Sequence, residues 1–280
     1  MLLDVPGARI AWTDTGPPPG RPDAPTMVLG HGLLFGGWMF RHQIAALRDH
    51  LRCVTLDWRG QGDSPPAAGP CDMDTLTADA VALIRHLDVG PVHWVGLSMG
   101  GFVGLRLAAR HPELVRTLAL LDTSADGTDP GAARRQRRLA LVQLAVGLRP
   151  LAGHIGPSLF GPGFLADPGS APVLREWLRR AGRTDRWALR RAVLAVAGRD
   201  PVSAELGAIT APTVVVVGSE DAATPPDHAA RLAAGIRGAR LVELAGCGHS
   251  SPLERPAEVT AVLAELAAVR PRPPLPSRPG

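Results

Sequence analysis

Ser98 stands in the segment Gly96-Leu97-Ser98-Met99-Gly100-Gly101, where glycines flank a serine on both sides. The apolar run at residues 92–95 predicts a strand before it, and residues 102–109 predict a helix after it. A serine on such a tight turn projects outward, and flanking glycines avoid the collisions that a Cβ would cause. The helix also directs free N–H groups at the serine. The pattern predicts a nucleophilic serine.

A serine hydroxyl needs a general base, and that base needs a group that fixes its tautomer. Residues 214–217 predict a strand that leads into Gly218-Ser219-Glu220-Asp221, and residues 241–244 predict another that leads into Gly246-Cys247-Gly248-His249. The carboxyl ends of parallel strands lie at one edge of a sheet. We therefore expect His249 to act as the base for Ser98 and Asp221 to orient His249.

Other carboxylates and histidines compete for these roles. Glu220 is adjacent to Asp221, and Asp122 ends the predicted strand at residues 117–121, from which a carboxylate could also reach a histidine. Asp221 is favoured over both. Histidines in or beside predicted elements are interpreted as structural, and they include His86, His93 and His111.

Acyl transfer also needs donors for a developing oxyanion. The backbone N–H of Met99, directly after the serine, is one expected donor. The second is expected from the glycine-bearing loop that begins at His31-Gly32, with Leu33 favoured as the donor and Leu34 next. Apolar side chains of the same loop are candidates for an acyl pocket, although such residues are more often plain core. These candidate substrate-binding residues are Leu34, Phe35 and Trp38.

The elements that must position these residues alternate along the chain. Short continuous apolar runs predict strands buried on both faces, at residues 27–29, 53–56, 92–95, 117–121, 214–217 and 241–244. Helical patterns lie between or after them, at residues 76–87, 102–109, 228–234 and 257–269. Repeated βα units predict an α/β fold with a mostly parallel sheet covered by helices.

The alternation stops in the middle of the chain. Residues 123–205 contain no convincing strand and predict helices at 134–148, 173–180 and 187–197, with loops over 156–168. We interpret 123–205 as a helical cap inserted into a core of residues 1–122 and 206–269. Arginine is concentrated in this insertion, which indicates a solvated helix face more than an anion site. The Pro/Arg-rich tail, residues 270–280, is predicted to be disordered.

Composition excludes several protein classes. No apolar run approaches the ~20 residues that cross a bilayer, and the N-terminus lacks a secretory pattern, so we expect a cytoplasmic protein. Cys53, Cys71 and Cys247 are widely spaced, which argues against disulfides or a zinc site. All 30 basic residues are arginine, and tyrosine is absent. Without aromatics among the arginines, the net charge of +4 does not indicate nucleic-acid binding. The oligomeric state is not set by these features.

Five ordered motifs together resemble the α/β-hydrolase superfamily. They are the His31-Gly32 loop, a DxRGxGxS turn at 57–64 interpreted as structural, the GxSxGG turn at 96–101, a GxxDxxxP loop at 218–225 and a GxGH loop at 246–249. The resemblance covers residues 5–269, and the order Ser98, Asp221, His249 is the order of that family. The details are most similar to its esterase, 3-oxoadipate enol-lactonase and cofactor-free perhydrolase branches. A serine nucleophile argues against the branches that use aspartate.

The resemblance implies a serine hydrolase that cleaves a small-molecule carboxylic ester or lactone through an acyl-enzyme. No metal or organic cofactor is expected. One alternative is a carbon–carbon-bond hydrolase or enol-lactonase acting on an anionic substrate held by a cap arginine. Another is a non-catalytic ligand receptor on the same fold, which the intact set of Ser98, Asp221 and His249 disfavours.

Overall fold

A single twisted sheet forms the centre of the molecule. The structure is a computed structural model that describes residues 1–268, so the tail predicted to be disordered lies outside the described residues. Within them, eight strands follow the order β1-β2-β4-β3-β5-β6-β7-β8. The strands are β1 (Leu2–Val5), β2 (Ala8–Asp14), β3 (Thr26–Gly30), β4 (Arg52–Leu56), β5 (Val92–Leu97), β6 (Val115–Leu121), β7 (Thr213–Gly218) and β8 (Arg240–Leu244).

Strand pairing confirms the predicted α/β class. The pairs from β4 through β8 are parallel, and all six predicted strands are present, each one or two residues longer than predicted. Strands β3, β5 and β7 are buried along their whole lengths. This burial explains why they read as continuous apolar runs rather than alternating ones. The expectation that residues 241–244 are buried on both faces was wrong, because β8 is the edge strand of the sheet and only its Leu244 is buried.

The antiparallel edge of the sheet was not predicted. Strands β1 and β2 form a hairpin around Pro6-Gly7, and β2 pairs antiparallel with β4. Gly7 takes a φ of +74°, which the tight turn requires. Most residues of β1 and the ends of β2 are partly or fully exposed, so the hairpin lacks the apolar run that identifies the inner strands.

Helices cover both faces of the sheet. The predicted helices are confirmed. Asp72 caps the N-terminus of α2, because its side chain accepts the Thr75 N–H. The short α1 was not predicted. Helices of the core are α1 (Arg41–Leu47), α2 (Met73–Leu87), α3 (Met99–Arg110), α9 (Pro226–Gly235), α10 (Ser251–Glu254) and α11 (Pro256–Leu266).

A helical insertion separates β6 from β7. The stretch 156–168, expected to be loops, instead lies mostly in two short helices, and that expectation was wrong. Both helices contain proline: Pro162 occupies the first turn of one, a position that proline favours, and Pro157 lies inside the other. The inserted helices are α4 (Pro130–Val146), α5 (Ala152–Leu159), α6 (Pro162–Ala166), α7 (Ala171–Ala181) and α8 (Arg186–Ala197).

No helix among residues 1–268 is long and apolar enough to cross a membrane.

Candidate active site

Ser98 lies on a strained turn between β5 and α3. Its backbone has φ +50° and ψ −109°, a conformation that residues with a Cβ rarely adopt. Two hydrogen bonds hold it there: the Ser98 N–H donates to Leu121 O at 2.9 Å, and Thr123 Oγ1 donates to Ser98 O at 2.8 Å. The side chain is thereby fixed at the carboxyl edge of the sheet.

The glycines around Ser98 permit a very close approach of strand, turn and helix. A Cβ on Gly96 would lie 2.1 Å from Gly100 O, and a Cβ on Gly100 would lie 2.0 Å from Gly30 O. The backbone could relieve such contacts only if β3 or α3 moved. The glycines are therefore required by packing, as the sequence pattern predicted.

Asp221 and His249 are in direct contact. His249 Nδ1 donates to Asp221 Oδ2 at 2.8 Å and lies 2.9 Å from Oδ1. The Asp221 carboxylate also accepts the N–H groups of Ala223 and Thr224 and the Thr224 hydroxyl, at 2.8–2.9 Å. These bonds fix the carboxylate, which in turn fixes the imidazole in the tautomer whose Nε2 can accept a proton.

The two groups shift each other's pKa. Burial disfavours the charged form of His249, but the charge and hydrogen bond of Asp221, together with the charges of Asp122 and Glu254, outweigh burial and raise the histidine pKa. Burial likewise opposes ionisation of Asp221, but the His249 charge, its hydrogen bond and the Thr224 donors lower the Asp221 pKa. Asp221 is therefore ionised, and His249 binds a proton readily, as a general base must.

Ser98 shares this edge of the sheet with His249 without a direct bond. It follows β5, whereas Asp221 and His249 follow β7 and β8. Within residues 1–268 no hydrogen bond joins Ser98 Oγ to His249. Such a bond commonly tightens only when substrate is bound.

The alternative acids make different contacts. Asp122 accepts the N–H groups of Gly218 and Ser251, at 3.0 and 3.2 Å. Burial and the nearby Asp221 raise the pKa of Asp122 to about 7. Glu220 is exposed. Of the three candidates, only Asp221 hydrogen-bonds the His249 ring among the described residues.

A second serine–histidine contact lies nearby. Ser124 Oγ is 2.9 Å from His228 Nδ1. Asp126 and Arg231 approach the same ring nitrogen, at 3.1 and 3.0 Å. Because the serine and the carboxylate meet one nitrogen rather than opposite ones, this cluster lacks the geometry of a proton relay.

Glu254, which sequence reasoning missed, organises the histidine loop. Its buried carboxylate accepts the N–H groups of Gly161, Gly248 and Ser250, at 2.9–3.0 Å. Gly161 belongs to the helical insertion, so Glu254 joins the insertion to the loop that carries His249. Cys247 in the same loop is buried, and burial raises its thiol pKa far above the usual range. This thiol is therefore protonated and inert at neutral pH.

The backbone N–H groups of the candidate oxyanion loop differ in their hydrogen bonds. Leu34, at φ +70°, donates its N–H to Gln61 Oε1 at 3.2 Å, and the Phe35 N–H donates to Gly32 O. Within residues 1–268 the N–H groups of Leu33 and Met99 make no hydrogen bond. Of the two donors left open by the sequence, this pattern favours Leu33 over Leu34.

The side chains of His31 and Gln61 hydrogen-bond the backbone of this loop. His31 Nε2 accepts the Trp58 N–H at 3.1 Å, so Nδ1 carries the proton and donates to Gly32 O at 2.7 Å. Gln61 is buried, accepts the Leu34 N–H and approaches Met99 Sδ at 3.8 Å. Gln61 lies in the turn interpreted as structural, and no local pattern signals its contact with Leu34, 27 residues away.

We expect Gln61→Met to lower kcat about tenfold with little change in KM. Methionine has a similar length but no amide oxygen, so the buried Leu34 N–H loses its acceptor and the loop can shift. Gln61→Glu, which keeps an acceptor oxygen, should retain more activity. Steady-state kinetics together with melting temperatures test this, and an unchanged kcat in Gln61→Met would show that the contact does not matter for the reaction.

The three candidate substrate-binding residues occupy different surroundings. Leu34 is buried, and Phe35 packs edge-on against Phe160 of the insertion. Phe35 and Trp38 line a groove of about 500 Å³, whereas Leu34 does not. The structure therefore brings two of the three to the lining of this groove, beside arginines that the sequence did not link to them.

Comparison with known proteins identifies the family. The model of the alpha/beta hydrolase fold family matches residues 25–256. This chain belongs to the α/β-hydrolase family. A 3-oxoadipate enol-lactonase of Acinetobacter baylyi is 30% identical over 240 residues, which cover 85% of this chain and 86% of that protein.

Solved structures agree with this assignment. The enol-lactonase from Burkholderia xenovorans superposes on this α/β-hydrolase with a TM-score of 0.87 at 29% identity, covering 96% of this chain and all of the other. A thermophilic esterase from Thermogutta terrifontis gives 0.84 at 28% identity, covering 94% and 95%. The resemblance described from the motifs is thereby confirmed.

Proposed function

We propose that this α/β-hydrolase cleaves a carboxylic ester or lactone through an acyl-enzyme, with Ser98 as nucleophile, His249 as general base and Asp221 as the acid that orients it. The observation that carries the proposal is the Asp221–His249 hydrogen bond at the same sheet edge as a serine held at positive φ. The esterase and lactonase names of its relatives support the substrate class.

The steps follow from the positions of these groups. His249 Nε2 takes the Ser98 hydroxyl proton as Oγ forms a bond to the substrate carbonyl carbon. The N–H groups of Leu33 and Met99 stabilise the negative oxygen of the tetrahedral intermediate. Its collapse expels the alcohol, which receives the proton from His249, and leaves the acyl group on Ser98. Water, deprotonated by His249, then attacks the acyl carbon, the bond from Ser98 Oγ to that carbon breaks, and His249 returns the proton to Oγ as the acid leaves.

A substrate panel tests this function. We expect saturable hydrolysis of at least one member among p-nitrophenyl esters of increasing acyl length and a set of lactones, with and without a free carboxylate. Preference among acyl lengths would define the size of the acyl pocket. Turnover of no member, in a folded protein that a phosphonate probe also fails to label, would favour the non-catalytic receptor instead.

The enol-lactonase alternative has specific support from the relatives named above. Preference for a lactone that carries a carboxylate, by about tenfold or more in kcat/KM over its neutral counterpart, would favour it. Equal rates for the two lactones would favour a general esterase.

A further inference from the structure

An arginine-lined groove lies between the helical insertion and α1. It has a volume of about 500 Å³, within the usual size of small-molecule sites. Thr55 and Asp57, at the end of β4, contribute to its lining, and Ser98, Asp221 and His249 do not. We call it the arginine groove, after its lining residues Arg41, Arg48, Arg179, Arg180 and Arg183.

Positive charge in the arginine groove is incompletely balanced. Five arginines and two aspartates, Asp57 and Asp63, line it. The Asp57 carboxylate keeps its charge but points its oxygens at the backbone N–H groups of Gly37 and Asp63, at 2.6 and 2.8 Å, and it pairs with none of these arginines among the described residues. Within residues 1–268, Arg48 and Arg183 make no ion pair. The guanidinium groups of Arg48 and Arg183 are thus available to bind a ligand in the groove.

The remaining three arginines share one carboxylate. Glu176 lies 2.9 Å from Arg180, 3.3 Å from Arg41 and 3.9 Å from Arg179. One negative charge cannot neutralise three positive ones. Burial and the Arg180 charge together lower the pKa of Arg41 even though Glu176 opposes the shift. An anion in the groove would relieve this repulsion.

Trp38 holds two of these arginines in position. The Arg41 and Arg180 guanidinium groups lie over its ring, 5.4 and 5.3 Å from the centroid. Stacked guanidinium groups lose less conformational entropy when they bind a ligand. The groove therefore has both the charge and the order expected of a binding site.

We propose that the arginine groove binds a small anion with two or more carboxylate or phosphate groups. Arginine forks pair such groups through two parallel hydrogen bonds. The anion is either a free molecule or the anionic end of an extended substrate. The binding itself does not depend on the proposed reaction at Ser98.

Calorimetric titration with pyrophosphate and with citrate, at constant ionic strength, tests the site. We expect one molecule to bind per chain and the double variant Arg48→Gln/Arg183→Gln to bind about tenfold more weakly or worse. Both residues are exposed and unpaired among the described residues, so the fold should persist. The matched control is Arg134→Gln/Arg138→Gln, which removes two exposed charges of α4 outside the groove and should bind as the wild type does.

Two results would overturn the proposal: no saturable binding to the wild type at millimolar anion, or equal weakening in the control, which would indicate diffuse charge attraction. Inhibition kinetics separate the two sources of the anion. Competition against a carboxylate-bearing ester assigns the groove to the end of the substrate, and binding without competition assigns it to a free anion. Titration of Ser98→Ala keeps the test independent of catalysis.

Discussion

Ser98→Ala is expected to lower kcat for ester hydrolysis by about ten-thousand-fold or more. Alanine keeps the Cβ and the turn but removes the oxygen that would form the acyl-enzyme, and loss of a triad nucleophile typically has an effect of this size. The Ser98 hydroxyl makes no hydrogen bond within residues 1–268, so the fold should survive the change. Steady-state kinetics on the best substrate of the panel, together with melting temperatures, measure both effects.

A matched serine provides the control. Ser203 is exposed at the start of a short helical turn that follows α8, and Ser203→Ala should leave kcat within about twofold, as expected of a surface position. Retention of more than a tenth of the wild-type rate by Ser98→Ala would remove Ser98 from the reaction and with it the proposed mechanism.

Asp221→Asn is expected to lower kcat by about three to four orders of magnitude. The amide keeps the shape of the side chain but can present an N–H to His249 Nδ1, which favours the wrong imidazole tautomer. The Asp221 charge also raises the pKa of His249. The base must be neutral, so activity is lost as the pH falls through that pKa, and the acidic limb of the kcat/KM profile should move to lower pH in the variant.

Asp122→Asn distinguishes the role of Asp122 from that of Asp221. Its carboxylate contacts the backbone of Gly218 and Ser251 rather than the His249 ring, so kcat should fall far less than in Asp221→Asn. A larger loss in Asp122→Asn than in Asp221→Asn would identify Asp122 as the orienting acid. Rate profiles from pH 5 to 9 on both variants make the comparison.

Local sequence carried the information about the central strands and their ends. Gly96 and Gly100 are needed because a Cβ at either position would lie about 2 Å from a backbone oxygen. The requirement is therefore visible in the residues next to Ser98. Asp221 and His249 lie in the loops that follow β7 and β8, three and five residues after the ends of these strands. Parallel pairing then places such ends at one edge without further information.

Long-range contacts explain what the sequence did not reveal. Gln61 reaches Leu34 across 27 residues, and Glu254 reaches Gly161 across 93, so neither contact has a local pattern. Weak local signals account for the missed β1–β2 hairpin and for the helices found where loops were expected. The arginine groove assembles side chains from α1 and from the end of α7 and the loop after it, and a run of arginines alone reads as a solvated face.

Labelling by a fluorophosphonate probe, followed by peptide mass mapping, tests whether Ser98 is the nucleophile. We expect one adduct per chain, on Ser98, forming faster as the pH rises through the pKa of His249, and more slowly in Asp221→Asn. An adduct on another residue, such as Ser124, or no adduct on the folded protein would contradict it.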